Sequence, residues 1–332
     1  MAQPRVTVVV PTLVAGEALA DCLRSLEAQE WRDFETVVVD NSGCGRAKAG
    51  PPARVIANAR NLGFGAAVNQ AVRQSAADYV ATLNDDAVAE PQWLGRMVAA
   101  MDARPDAGMC APCVRLSESR LDSAGMLLCA DGVAKQRGHG RQPAEFARAC
   151  EVLLPSGSAA LYRRRMLDEI GLFDEDFFLY CEDTDLGLRA RWAGWACLYV
   201  PDARVDHRHS HTAGRASPMK AYYVERNRLF VIGKNFPAPM IPPALLAAIE
   251  RYFWTGLAVM RGQGVAGQYH REGGSPLRLG WTVVTAHAAA LRALFPILRK
   301  RRAIRASARI APAEFRRLAR AHAIAPREVA AL

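Results

Sequence analysis

The chain has 332 residues, 51% hydrophobic and 23% charged, which suits one large α/β domain with an appendage and excludes general disorder. Its net charge is +10, yet eleven Lys or Arg against two Asp or Glu between Arg292 and Leu332 supply nine of those charges, leaving a nearly neutral body and a basic tail. No nucleic-acid-binding motif accompanies the tail, so nucleic acid is not an expected partner, and no apolar run reaches the roughly 18 residues that cross a membrane.

Met1 to Val10 run into a strand without the basic and apolar regions of a secretory leader, so the eight cysteines are expected to be reduced. Val6–Val10 is β-branched, and Leu19, Cys22, Leu23 and Leu26 follow at helical spacing. Phe34–Val39 and Arg54–Ala57 read as strands, Gly63–Ser75 as a helix, Tyr79–Leu83 as a strand, and Pro91 opens a further helix. Alternation of this kind predicts an α/β fold: a Rossmann-like, mostly parallel sheet with helices on both faces. Cys110 and Cys113 have CxxC spacing but no partner pair, and fall at the end of an apolar strand; a structural role is expected. From Arg115 to Cys150 the pattern is weak and predicts irregular or short antiparallel structure. Helices are predicted over Arg164–Ile170, Asp183–Ala193 and Met219–Lys234, a strand over Trp195–Val200, and a polar His-rich loop over Pro201–Pro218. Pro237, Pro239, Pro242 and Pro243 mark a boundary between residues 1–237 and a helical, basic extension over 238–332.

Polar residues follow the predicted strand ends, where open α/β sheets bind ligands. Pro11 and Thr12 close the first strand and Asp40 the second. Asn84-Asp85-Asp86 closes the fourth; adjacent carboxylates can hold Mg²⁺ or Mn²⁺ against phosphate oxygens, or simply cap a turn. Asn61 and Gly63 lie in a strand-to-helix loop whose glycines allow close backbone approach to a ligand. Glu182, Asp183 and Asp185 crowd one helix start, where a raised pKa suits a proton acceptor and plain capping is the alternative. Asp183 and Asp185, two apart, point to different helix faces. His207, His209 and His211 could bind metal or phosphate, or belong to a solvated loop.

Together, Val8–Thr12, Val39–Ser42, Asn61–Phe64, Asn84–Asp86, Gly171–Phe178, Glu182–Asp185 with Leu186 and Arg189, and Arg226-Asn227 resemble the GT-A-fold family 2 glycosyltransferases, especially their bacterial rhamnosyltransferase-like branch, over about Val6–Pro237. The resemblance implies an inverting transfer of a sugar, with rhamnose favoured, from a dTDP- or UDP-linked donor to a cell-envelope or lipid-linked glycan. It gives Asp40 to the donor base, Asn61 and Gly63 to the nucleotide, and Asn84 and Asp85 to the donor beside Asp86. Asp86 and His207 become ligands of Mg²⁺ or Mn²⁺, Asp183 the general base, and Glu182, Asp185 and Arg226 acceptor or supporting residues. Asn84 stands where the family's metal motif carries Asp. The basic tail implies an anionic membrane surface and a cytoplasmic, peripheral location on the inner face of the membrane. A sugar-nucleotide-forming nucleotidyltransferase and a non-catalytic nucleotide-sugar-binding module are the alternatives; the first lacks its Gly-rich basic loop after the first strand.

Overall fold

The computed structural model describes residues 3–50, 53–208 and 217–331. Strand β1 (Val6–Thr12), helix α1 (Glu17–Glu27), strands β2 (Phe34–Asp40) and β3 (Arg54–Ala57), helix α2 (Phe64–Arg73) and strand β4 (Tyr79–Leu83) form the opening unit. Strand β5 (Ala87–Ala89) and helix α3 (Trp93–Ala103) lead to β6 (Ala107–Ser117). Short strands β7 (Arg120–Ser123), β8 (Met126–Cys129), β9 (Ala134–Gln136) and β10 (Cys150–Glu151) fill the weakly patterned stretch. Strand β11 (Ala159–Arg163), helices α4 (Arg164–Ile170) and α5 (Glu182–Trp192), and strand β12 (Ala196–His207) follow.

The main sheet has the order β10-β12-β6-β11-β4-β1-β2-β3, with β5 on β12 and β7 on β6. Strands β3, β2, β1 and β4 are parallel, as predicted. Beyond them the sheet is mixed: β11 lies antiparallel between β4 and β6, while β12 pairs parallel with β6. Only two residues join β6 to β7, a link that permits antiparallel pairing alone. The first strands read as unbroken valine runs because both of their faces are covered. Val6, Val8 and Val10 pack with α1 and α3, whereas Val9, Val37 and Val39 pack with α2, α4 and α5 on the opposite face.

Two sequence expectations shift. Cys110 and Cys113 lie inside β6 rather than at its end, and burial pushes both thiols up, so they are core residues. The strand predicted to end at Val200 continues to His207. Pro201 breaks the pattern without ending the strand, because the register jumps from Val200–Pro112 to Arg204–Cys113 and the intervening residues bulge out.

After β12 come α6 (Pro218–Asn235), α7 (Ile241–Met260), α8 (Gly264–Arg271), α9 (Pro276–Arg292), α10 (Leu294–Ala306), α11 (Pro312–Ala321), β13 (Ala323–Ile324) and α12 (Pro326–Ala331). Helices α9 and α10 meet at a bend of 61°. Among the described residues no single helix is long and apolar enough to cross a membrane. Ile297, Ile304 and Phe315 join Leu188, Trp192 and Phe230 in a third core, with Phe315 stacked on Trp192 at 4.3 Å. Strand β13 returns to pair with β8.

The basic run Arg299–Arg302 is partly spent on this packing. Lys300 bonds Asp174 (2.5 Å) and Asp176 (2.6 Å), and Arg301 donates to the Gly233 carbonyl. Lys234, almost fully buried, bridges Asp174 (2.6 Å) and Asp185 (2.7 Å). Burial works against a charged Asp174, but Lys234 and Lys300 outweigh it and hold the carboxyl below its ordinary range. A depressed carboxylate stabilises the fold above its unfolded pKa of about 3.9, and that stabilisation fades as pH falls toward the folded value. Asp174→Asn should therefore cost about 3–5 kcal/mol near neutral pH, since it strips a buried lysine of a partner. Melting curves across pH check this: the gap to wild type should narrow below about pH 4, and a gap as wide at pH 3 as at pH 7 would refute the assignment.

Candidate active site

Strand β1 lies between β2 and β4, so the carboxyl ends of these three strands open on the crevice where an α/β sheet binds ligands. Pro11 pairs with Val39 within the sheet, where its missing N–H is tolerated, and Thr12 follows. The Thr12 hydroxyl donates to Asp85 at 2.6 Å. Burial raises the Asp85 pKa, opposed by this bond and aided by the Asp86 charge.

The short strand β5 sets the next contact. It pairs antiparallel with the end of β12, placing His207 opposite Ala87 and beside Asp86. The imidazole Nε2 is 3.1 Å from Asp86 Oδ1 and 3.4 Å from Asn84 Nδ2. Its Nδ1 is 2.9 Å from Oδ2 of Asp122, a buried residue of β7 whose other oxygen lies 3.1 Å from His139 Nδ1. Burial disfavours a charged His207, but Asp122 and Asp86 outweigh it and raise the imidazole to about 9. His209 and His211 lie outside the described residues.

A carboxylate behind a histidine is the arrangement that orients imidazole toward a metal. Asp86 and His207 thus fit a divalent ion as one oxygen and one nitrogen ligand. Among the described residues no group of three such side chains is gathered to cage an ion. Any ion here would complete its shell from elsewhere, as ions joined to substrate phosphates do.

Asp40 is fully buried at the end of β2. Its oxygens accept from the amides of Ser42 and Ala47, each at 2.8 Å. Burial pushes its pKa up, but these bonds prevail and lower it. In this conformation Asp40 shapes the loop after β2. The Asn61 side chain accepts from the Gly63 amide at 2.8 Å. Gly63 has φ +88°, and a Cβ there would stand 2.2 Å from the Phe178 carbonyl oxygen. Its small size admits the loop that precedes α5.

That loop carries the third group. Asp183 is half-buried: Oδ2 accepts from the Gly157 amide (2.9 Å), and Oδ1 from the Thr184 amide (2.6 Å) and hydroxyl (3.2 Å). Burial raises its pKa against these bonds. Glu182 is buried, its Oε2 has no hydrogen-bond partner, and burial with the neighbouring Asp183 pushes its carboxyl well up. Asp185 faces the other way, bonded to Arg189, Lys234 and Asn235. Phe178, Tyr180 and Cys181 all have positive φ, which non-glycine residues rarely adopt. The fully buried Asn227 holds them, its amide nitrogen reaching the carbonyls of Phe177 (2.9 Å), Leu179 (2.8 Å) and Tyr180 (2.7 Å). Arg226 adds bonds to the Asp176 and Phe177 carbonyls, which makes it a support of this loop.

Sequence reasoning assigned no role to Asp122, Gly157 or Asn227. Nothing local marks the first two, whereas Asn227 stands within a motif.

A β/α sheet, with carboxylates and an imidazole at its strand ends and an aspartate on the facing helix start, is a GT-A-like architecture. Residues 4–229 match the family described as Glycosyltransferase like family 2. The chain belongs to that family and is a glycosyltransferase, which removes the nucleotidyltransferase and non-catalytic alternatives. It is 32% identical over 247 residues to a Mycobacterium tuberculosis protein named N-acetylglucosaminyl-diphospho-decaprenol L-rhamnosyltransferase, covering 65% of this chain and 80% of that protein. Its fold resembles the Pyrobaculum calidifontis mannosyltransferase PcManGT, solved with GDP-Man and Mn²⁺ (TM-score 0.51, 18% identity, 89% and 88% of the two chains). It also resembles GalNAc-T7, solved with UDP, GalNAc and Mn²⁺ (TM-score 0.54, 15% identity, 69% and 48%).

Asn227→Ala should release the loop before Asp183. The expected result is faster amide exchange over residues 177–182, with a stability loss of about 1–3 kcal/mol from the orphaned carbonyls. Exchange unchanged in that loop would show that Asn227 does not hold it.

Proposed function

We propose that this glycosyltransferase moves a sugar, with inversion, from a dTDP- or UDP-linked donor to a lipid-linked cell-envelope glycan. The observation that carries the reading is Asp183: a carboxylate of raised pKa, fixed by the amides of Gly157 and Thr184 at the start of α5. The acceptor hydroxyl oxygen attacks the anomeric carbon and forms the new C–O bond. Its proton passes to an Asp183 oxygen. The bond from the anomeric carbon to the donor phosphate breaks, and the nucleoside diphosphate leaves with the electron pair. Burial and the neighbouring Asp183 push the Glu182 carboxyl well up, which disfavours a second charge beside the base. Rhamnose and the lipid-diphosphate acceptor are favoured by the name of the mycobacterial relative.

Asp86 and His207 would hold a divalent ion, which when bound supplies positive charge against the leaving diphosphate. The imidazole in the set favours Mn²⁺ over the oxygen-seeking Mg²⁺. Asp122 keeps the ring oriented through Nδ1.

A peripheral place on the inner membrane surface is supported by exposed apolar rows on α7 and α9. Leu245, Ile249 and Phe253 repeat every four residues on α7, and Leu277, Trp281 and Val284 follow helical spacing on α9. Phe295 and Leu298 continue the apolar surface onto α10. Such faces lie in a bilayer interface, and the basic tail adds attraction to anionic lipid.

Two variants test the chemistry. Asp183→Asn keeps size but cannot take the proton, so transfer should fall by about 10²–10⁴-fold while donor affinity holds. The acid limb of the wild-type pH profile should lie above the usual Asp value of about 3.9, because only the deprotonated group is active. Asp86→Ala should instead abolish Mn²⁺-dependent donor binding, as should EDTA on the wild type. Near wild-type transfer by Asp183→Asn excludes it as the base, and full activity in excess EDTA excludes the metal. For the membrane face, Phe253→Asp with Trp281→Asp should weaken sedimentation with anionic liposomes at least tenfold; undiminished sedimentation rules that face out.

A further inference from the structure

Helices α6 to α9 and α12, with β9, line a half-open cavity of about 470 Å³ that the transfer chemistry does not use. Its body is apolar, with Val259 from α7, Val265 from α8, and Leu279 and Val283 from α9. One end is cationic. Lys135 of β9, Lys220 of α6 and Arg251 of α7 line it together with Ser217, which caps the 18-residue helix α6. The N-terminus of such a helix favours an anion. The carboxylate in the lining, Glu225, is already bonded to Arg228 (2.7 Å), Arg251 (2.8 Å) and Tyr252 (2.6 Å). Burial, with Lys220 and Arg251 beside it, pushes the Lys135 ammonium down to about 8, and an anion there would favour its charged form.

Two glycines say that the space is kept open. Gly256 and Gly280 lie inside α7 and α9 and both line the cavity. Glycine is a poor helix former, usually retained where a side chain would clash. Here a Cβ at either position would meet nothing within 4 Å among the described residues. The described residues pack nothing into that space, although a larger residue would fit and would strengthen the helix.

The cavity is also placed for the reaction. The Lys220 ammonium lies 5.6 Å over the ring of Tyr180, three residues before Asp183. Helices α7 and α9, which wall the apolar part, also carry the exposed apolar rows.

We propose that this cavity binds the isoprenoid diphosphate anchor of the acceptor, with the diphosphate at Lys135, Lys220 and the start of α6, and the chain between α7 and α9. This rests on the transfer reading above and assigns the acceptor's anchor to a cavity that joins residues of the matched region to the C-terminal helices.

Calorimetry on the full chain in EDTA tests it with farnesyl diphosphate as the soluble probe. Farnesyl diphosphate should bind at least tenfold more tightly than either inorganic diphosphate or farnesol. Lys135→Ala with Lys220→Ala should weaken it at least tenfold. Gly256→Leu and Gly280→Leu should abolish it by filling the space, while the melting temperature and Mn²⁺-dependent nucleotide binding hold. Equal binding of inorganic diphosphate would mean a plain anion site, and equal binding of farnesol a plain apolar one. Either result, or undiminished binding by the variants, overturns the proposal. Nucleotide binding is read separately, so its failure would strike the transfer reading and not the lipid site.

Discussion

Helix α5 begins from a backbone that residues of its kind resist. Phe178, Tyr180 and Cys181 stand at positive φ, a conformation that costs each on the order of 1–3 kcal/mol. The loop keeps that shape because two other segments close on it. Asn227 of α6 reaches three of its carbonyls from below, and the Phe64 amide donates to the Phe178 carbonyl across Gly63. The strain turns the chain so that Asp183 meets the Gly157 amide while Asp185 turns inward. One constraint therefore links the Gly63 loop, the proposed base and α6.

The inward face of α5 ties the same helix to the C-terminal region. Asp185, Lys234, Asp174 and Lys300 form an alternating chain of charges from α5 through α6 to α10. Buried ion pairs add little net stability over well-packed apolar groups, but they are costly to break and hence specific. This chain sets how the C-terminal helices sit against the helix that carries Asp183. The basic tail thus acts partly as a structural clamp, and the apolar faces of α7 and α9 are better placed to meet lipid than Lys300 is.

Much of this was legible before the fold was seen. The opening strands declare themselves through β-branched runs that end in polar residues, because parallel strands covered on both faces must be apolar throughout. Asp183 and Asp185 were separable by helical spacing alone, and the structure sends them to different partners. Legibility failed where long-range pairing overrode local signals. Pro201 ends a local strand pattern, yet pairing with β6 resumes after a bulge and carries His207 to Asp86. Asp122 lies in a stretch without periodicity, and only the β6–β7 hairpin brings it under the imidazole. The cavity was invisible because its lining comes from β9 and five helices, none of which signals a ligand by itself.

The charge arrangement gives the transfer reading its physical sense. Asp85, Asp86, Asp122, Glu182 and Asp183 are all buried or half-buried, and the protein restrains their charge in different ways. Asp122 is paired with imidazoles, burial pushes the carboxyls of Asp85 and Glu182 up, and Asp183 is stabilised by amides. A donor diphosphate brought to Asp85 and Asp86 would set negative charge against negative charge in a region of low dielectric, where repulsion is strong. A divalent cation held by Asp86 and a deprotonated His207 would relieve that repulsion and would supply positive charge against the departing diphosphate. The proposed base, Asp183, sits apart on α5. Keeping cation and base on separate elements lets each hold the protonation state it needs.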